Sequence, residues 1–245
     1  MPYSDFADPL GDLVSPAGHS ESILGQPFSN IGVGLDWLSP THIVNEFVKV
    51  TTGYDIFGDA AMAFTGDWEA VWTSAGAFRS LAGALQGIGV NVAQGNLELD
   101  GDWDGNAADA AYVYFTTLGS TLSEMYGPLV RLAAAYEEAA EGTYRLQEAV
   151  SGVLKDLMDS AMIGALGASV GTATIETGVG FVTGWGIAAY EAWKVTELTS
   201  RARKIIATAQ ALANGSMGLI QSAATDVDAL ADRLPAPYEH PGTAK

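Results

Sequence analysis

The feature that most narrows the fold is a run of apolar side chains between positions 111 and 136. Ala111, Phe115, Leu118, Leu122, Met125, Leu129, Leu132 and Tyr136 follow one another at alternating steps of four and three residues. That spacing puts all eight on one stripe of an α-helix, the seam of a helix packed lengthwise on another. A second such run, Phe78, Leu81, Leu85, Ile88 and Val92, precedes it. Between the two lies Leu99-Asp100-Gly101-Asp102-Trp103-Asp104-Gly105-Asn106. Glycine can take positive φ and aspartate bonds its own backbone, so this composition ends one helix and starts the next. The stretch from 67 to 157 therefore reads as a long antiparallel helical hairpin with a tryptophan at its bend.

No segment alternates apolar and polar residues over a useful length, so the predicted class is all-α. The expected architecture is an elongated helical bundle built on this hairpin, with further helices C-terminal to it. A chain of 245 residues, 48% apolar, can bury one large core or two modest ones. The expected layout is an irregular arm over 1–39, one helical domain over 40–233 and a Pro-containing tail or linker over 234–245. The arm is broken by Pro2, Pro9, Pro16 and Pro27, and Phe6, Phe28 and Trp37 would lay it on the domain. Disorder is the alternative for its first part.

Ser39-Pro40 has the form of a helix N-cap with proline at the first helical position, followed by Ile43, Phe47 and Val50 at helical spacing. Breaks are expected at Gly53 and Gly66. Trp68 and Trp72, one turn apart, read as core anchors. Within the second arm of the hairpin, Pro128 predicts a kink and Gly142 a weak point. The pattern continues through Leu146, Val150, Leu154 and Leu157. Helical spacing returns from Ile187 through Trp193, Leu198, Ile205 and Ile206, breaks near Gly215, and ends with Met217, Ile220, Ala224, Val227 and Leu230.

Composition removes several function classes. A net charge of −18, from 11 Lys and Arg against 29 Asp and Glu, excludes a general phosphate-binding surface, and with it a nucleic-acid partner. A field of that sign favours a basic partner. With no cysteine, disulfides, Cys-ligated zinc, Fe–S clusters and a thiol nucleophile are absent. His19, His42 and His240 have no evident spacing partner, and no nucleophile motif or phosphate-cradling loop occurs, so no enzyme activity and no cofactor are expected. Glu137 and Glu138 read as a solvated face. Asp100, Asp102 and Asp104 with Gly105 match the first half of an EF-hand loop. The twelfth position is Ala111 where a bidentate carboxylate is needed, which leaves at most a weak calcium candidate and favours a solvated acidic turn. No signal peptide is visible: Met1-Pro2-Tyr3-Ser4-Asp5-Phe6 carries acid where Lys or Arg is needed.

Residues 161–190 differ in character. Ala161 to Ile175 and Thr177 to Tyr190 hold no charge, with Glu176 between them. Gly164, Gly167 and Gly171 recur before Glu176, and Gly178, Gly180, Gly184 and Gly186 after it. Each half falls short of the roughly 20 apolar residues that span a bilayer. Close helix–helix contact in a soluble bundle is the expected role. The rival is a membrane-inserting or channel-forming protein using this Gly-rich segment.

Trp103-Asp104-Gly105 at the bend of a helix-turn-helix resembles the WXG100 (ESAT-6-like) proteins exported by type VII secretion. That family also carries a Tyr-x-x-x-Asp/Glu signal after its second helix. Tyr144-Arg145-Leu146-Gln147-Glu148 stands 41 residues beyond the tryptophan, similar to the family's separation. The resemblance in the strict sense covers residues 67–150. The longer layout is similar to WXG100-like N-terminal domains of actinobacterial polymorphic toxins, among them the mycobacterial channel protein bearing a necrotising toxin. Ile175-Glu176-Thr177-Gly178-Val179-Gly180 occupies the place of a Thr-Glu-Thr-Gly-x-Gly-type stretch in that group. The departure is that no toxin domain follows before Lys245, which leaves a detached targeting domain, part of a longer chain or a stand-alone member.

The resemblance implies a type VII (ESX) substrate, or the targeting and partner-binding module of a secreted toxin. Trp103 and Gly105 would form the turn face, and Tyr144 and Glu148 the export signal. Trp103, Phe115 and Tyr136 would form the partner interface. It also implies a secretion ATPase as reader, with a small WXG100 partner or chaperone. The protein would be cytoplasmic before export and secreted or at the cell surface after it. At about 1.5 Å per residue, an unbroken helix would separate Tyr144 from Trp103 by about 60 Å. A joint surface therefore needs a second hairpin, from another copy, a small partner, or this chain's own 145–231 segment as an internal pseudo-dimer. Gly184-Trp185-Gly186 is a loose echo of the first turn.

Overall fold

The fold comes from a computed structural model, which describes residues 5–16, 42–175 and 179–238. Helices run over Pro9–Asp12 (α1), His42–Thr52 (α2), Ile56–Phe64 (α3), Trp68–Asp100 (α4), Asn106–Glu124 (α5), Tyr126–Ala173 (α6) and Val179–Ala231 (α7). Among the described residues there is no strand, and the all-α expectation holds. The chain divides into two compact units. The first comprises Met1–His19, Ala70–Glu138 and Gly215–Lys245, the second Ser20–Glu69 and Ala139–Asn214. Ser39-Pro40, Phe28, Trp37, His19, His240 and Glu176 lie outside the described residues.

In the first unit the bend forms where the glycines and aspartates place it, between α4 and α5. The α4 seam runs one residue later than its large side chains suggest. Ala75, Ala82, Gly89 and Asn96 are buried at seven-residue steps, with Phe78, Leu85 and Val92 half-buried between them. Leu81 and Ile88, expected on the seam, are 40% and 39% exposed. The cause is close approach of two backbones: a Cβ on Gly89 would lie 2.6 Å from the Gly119 carbonyl oxygen of α5. Only small residues fit such a line, so bulky ones turn aside. The Asn96 amide donates to the Tyr112 carbonyl and the Thr116 hydroxyl, both at 3.0 Å, and so ties the hairpin internally. Ala82, Met125 and Leu129 form a small core with Phe78, Leu85, Val130, Val227 and Leu230.

The interruption expected at Pro128 falls one turn earlier. Helix α5 ends at Glu124 and α6 begins at Tyr126, which makes Pro128 the third residue of the new helix. Proline cannot donate to the Glu124 carbonyl and its ring would crowd that group, so the break sits at the carbonyl rather than at the proline.

The described part of the arm, residues 5–16, lies on the first unit, though not by burying Phe6, which is 76% exposed. The Asn91 side chain holds it instead. Its Oδ1 accepts from the backbone N–H groups of Phe6 and Ala7 at 2.9 and 2.8 Å, and its Nδ2 donates to the Ala7 carbonyl at 2.9 Å. Further along, Pro9, Asp12 and Pro16 sit over Gly87, Gly83 and Gly76 of α4, so the arm runs antiparallel to that helix.

In the second unit, Val44, Val48, Ile56, Phe57, Phe64, Val150, Leu154, Leu157 and Val195 belong to one continuous core. Trp68 packs against it and donates from its indole to the Phe64 carbonyl at 3.3 Å. Val50, expected on the inner face of α2, points outward, and Val44, Phe47 and Val48 make that face. Gly53, at φ +75°, ends α2 as expected. Asp55 caps α3 by accepting from Gly58 N–H at 3.2 Å and pairs with Lys49 at 2.9 Å. The Lys49 ammonium holds the Asp55 carboxyl below the usual carboxylate range. Gly142 does not weaken α6; the helix passes through it and the position receives the Leu212 side chain.

In the glycine-rich region α6 and α7 approach closely. A Cβ on Gly184 of α7 would lie 2.6 Å from Gly171 Cα and 2.8 Å from the Gly167 carbonyl of α6. Among the described residues no helix is long and apolar enough to cross a membrane.

Two outcomes follow from this packing. Gly184→Ala forces backbone against backbone and should lower stability by about 1–3 kcal/mol. Gly186→Ala, with nothing within 4 Å of the new Cβ, should be neutral or raise stability by up to about 1 kcal/mol. Equilibrium urea unfolding of the two variants measures the contrast. Asn91→Ala removes all three arm contacts and should cost about 1–3 kcal/mol, with limited proteolysis newly cutting between residues 5 and 16.

Candidate functional site

The turn at Trp103 is built by its backbone. Helix α4 closes with the Asp102 N–H donating to the Leu99 carbonyl at 3.1 Å, and α5 opens with the Asp109 N–H donating to the Gly105 carbonyl at 3.0 Å. Gly105 caps α5 at φ +103° and ψ 175°, with no side-chain cap. That backbone region is populated essentially by glycine alone. Trp103 is half-buried beside it.

Asp100, Asp102 and Asp104 are exposed, and among the described residues no group of three His, Asp or Glu side chains could hold a metal ion. Position 111, where the half-motif for calcium needs a carboxylate, is a buried alanine. Asp109, in the first turn of α5, suits the partial positive charge of the helix N-terminus.

Phe115, two turns into α5, already has partners. Its ring lies 5.2 Å from Tyr114 and 6.3 Å from Tyr238 of the tail. Tyr238 also packs 5.4 Å from Tyr114 and donates its hydroxyl to the Ala107 carbonyl at 3.3 Å. Tyr238, in the Pro-containing tail or linker, thus contacts the helix that starts at the turn. Tyr136 lies 5.4 Å from Phe78, next to an ion pair between Arg79 and Glu137.

Tyr144 and Glu148 sit on α6 one turn apart, Tyr144 half-buried with an intramolecular contact and Glu148 exposed. Arg145, between them, pairs with Glu141. Trp103 belongs to the first unit and Tyr144 to the second. Gly184-Trp185-Gly186 is not a second turn, since all three residues lie within α7. The sequence reading did not single out Tyr238, Asn91 or Asn96. An asparagine on an apolar helical stripe was the available signal for the last two, since a buried amide needs partners.

No family model matches the chain, and neither a curated protein nor a solved structure is similar to it.

The Gly105 geometry makes a prediction that separates backbone from packing. A Cβ there meets nothing within 4 Å, so any loss on substitution is conformational. Gly105→Ala and Gly105→Asn should each cost about 1–3 kcal/mol in thermal or urea unfolding. Asparagine gives no relief, because ψ near 180° lies outside the left-handed helical region it favours.

Proposed function

We propose that the chain is a non-enzymatic partner-binding protein of the WXG100 kind, a type VII secretion substrate or the targeting module of a larger secreted protein. The observation that carries this reading is the glycine-only backbone at Gly105, which holds Trp103 at the bend of a long helical hairpin. A turn that must present one fixed tryptophan geometry has reason to spend its N-cap on a glycine rather than on Ser, Thr or Asp. Tyr144 and Glu148 on one face of α6 supply the second element, with Glu148 open to solvent for a reader to contact.

In this reading a secretion ATPase recognises Tyr144 and Glu148. A small WXG100 partner or chaperone, or a second copy, engages the Trp103 turn, and a basic partner suits the chain's charge. Phe115 and Tyr136 extend the partner interface along the helices. The protein is cytoplasmic before export and secreted or at the cell surface after it.

The experiment is export from a host carrying the secretion system, comparing culture filtrate with cell lysate. Trp103→Ala and Tyr144→Ala should each lower the exported fraction about tenfold or more, a change of about 1.4 kcal/mol in the recognition step. Their intracellular levels should stay unchanged. Normal export of both variants overturns the reading.

A further inference from the structure

Residues 5–16 have two chemically different sides. The side toward α4 is held largely through main chain. Asn91 binds the backbone of Phe6 and Ala7, and the Ser80 hydroxyl donates to the Val14 carbonyl at 3.2 Å. A Cβ on Gly76 would lie 2.9 Å from Pro16 Cβ, one on Gly83 3.1 Å from Asp12 Cγ and one on Gly87 3.2 Å from Pro9 Cβ. Gly76, Ser80, Gly83, Gly87 and Asn91 follow at steps of four, three, four and four residues, so they share one face of α4, separate from its seam with α5. Glycine weakens a helix relative to alanine, and what the three glycines provide is room for a chain to lie close.

The other side of the arm is apolar and open. Phe6, Leu10, Leu13 and Val14 are between 54% and 77% exposed, and none of residues 5–16 is buried. An arm anchored by its own apolar groups would bury them. Here main chain, two prolines and Asp12 make the attachment, and the four large side chains within nine residues are left out. A row of that kind marks an interaction surface. Charge says what fits it. Asp5, Asp8 and Asp12 are exposed in the same stretch, which holds no cation. Asp8 accepts from the Gly11 N–H at 3.1 Å and Asp12 touches Gly83. Among the described residues none of the three pairs with a Lys or Arg. The helix beneath carries one cation, Arg79, already paired with Glu137.

We propose that the arm is a recognition segment presented on α4, whose row of Phe6, Leu10, Leu13 and Val14 takes an amphipathic basic segment of a protein partner. The partner's apolar stripe covers the row, and its Lys or Arg side chains meet Asp5, Asp8 and Asp12. Because Asn91 and the glycine face already fix the main chain, binding orders little more of it. An uncharged apolar partner fits less well, since it would take water from three carboxylates and return no counter-charge. A second copy is also a poorer occupant, because it brings the same three aspartates against the row. The inference is independent of the export reading: the surface is neither the Trp103 turn nor Tyr144, and the assay below contains no secretion component.

The test is fluorescence anisotropy of a labelled amphipathic Leu/Lys peptide added to the full chain, with a Leu/Glu peptide of the same pattern for comparison. The Leu/Lys peptide should bind and the Leu/Glu peptide should not. F6S/L10S/L13S changes exposed positions only and leaves the net charge at −18. It should weaken binding about tenfold or more while keeping its helical circular dichroism. D5N/D12N should weaken binding about threefold to tenfold at low salt, and that loss should shrink in about 0.5 M salt, where exposed charges are screened. Benzoylphenylalanine in place of Leu10 should cross-link to the peptide, whereas in place of Leu219, an exposed leucine of α7, it should not. Undiminished binding by F6S/L10S/L13S assigns the peptide to the chain's general acidity and overturns the proposal, as does equal cross-linking from position 219. Failure of the Leu/Lys peptide to bind overturns it, and so do equal binding of the Leu/Glu peptide, indifference to D5N/D12N, and a peptide-free dimer that F6S/L10S/L13S dissociates.

Discussion

Close approach of helix backbones is the constraint on which each unit depends. In the first unit Gly89 meets Gly119, and in the second Gly184 meets Gly167 and Gly171. At such distances there is no room for side chains between the helices, so contact comes from many backbone atoms at van der Waals range. The arrangement accounts for cores that use alanine as much as leucine: Ala75, Ala82, Ala84, Ala108 and Ala111 are all buried in the first unit. It also explains where the large residues went. Leu81 and Ile88 in one unit and Leu166 and Val182 in the other are displaced to the surface by the small residues beside them. Apolar exposure in this protein is therefore partly a consequence of how its helices meet.

Electrostatics plays a secondary part. Arg131 pairs with Asp226 at 2.6 Å and Arg233 with Glu124 at 2.8 Å, joining α6 to α7 and the residues just past α7 to α5 within the first unit. All four side chains are about half exposed, and ion pairs in that setting contribute little each. With 29 acids against 11 bases, most carboxylates have no cation to meet, so repulsion sets a general cost that packing has to offset. The Asn91 and Asn96 amides are better placed to specify arrangement. Each is buried and bonded to backbone, Asn91 to the arm and Asn96 to α5.

The helical class and the bend were legible because both rest on local rules. Four-three spacing and a Gly/Asp turn act over a few residues, and α4, the bend and α5 follow them. The seam of α4 was misjudged because spacing by size assumes that large residues face inward. Phe78, Leu85 and Val92 obeyed that assumption, but the crossing at Gly89 shifted the alternate positions to Ala82 and Gly89. Pro128 and Gly142 illustrate the same limit from opposite sides. The proline's effect was real and appeared at the carbonyl one turn back, while the glycine's local weakness was filled by Leu212 from a distant part of the chain. Tyr238 could not be placed from sequence at all, since its partners Tyr114 and Phe115 are more than a hundred residues away.

These contacts constrain how the Trp103 turn can work. Its first helix carries the arm on one side through Asn91, and its second helix carries Tyr238 on Tyr114 and Phe115. Both attachments are intramolecular, so in the proposed reading a partner at the turn meets helices already held by Phe6, Ala7 and Tyr238. Prior ordering of that kind lowers the conformational cost of binding. It also narrows what remains for recognition. Phe115 packs on Tyr238 and Tyr136 on Phe78, while at the bend Trp103 is half-buried and Leu99 is 41% exposed. A half-buried ring of that size, fixed beside a glycine-only backbone position, has the character of an interface hot spot. In the proposed reading, recognition at this bend rests on the half-buried Trp103 ring and the fixed backbone of its turn.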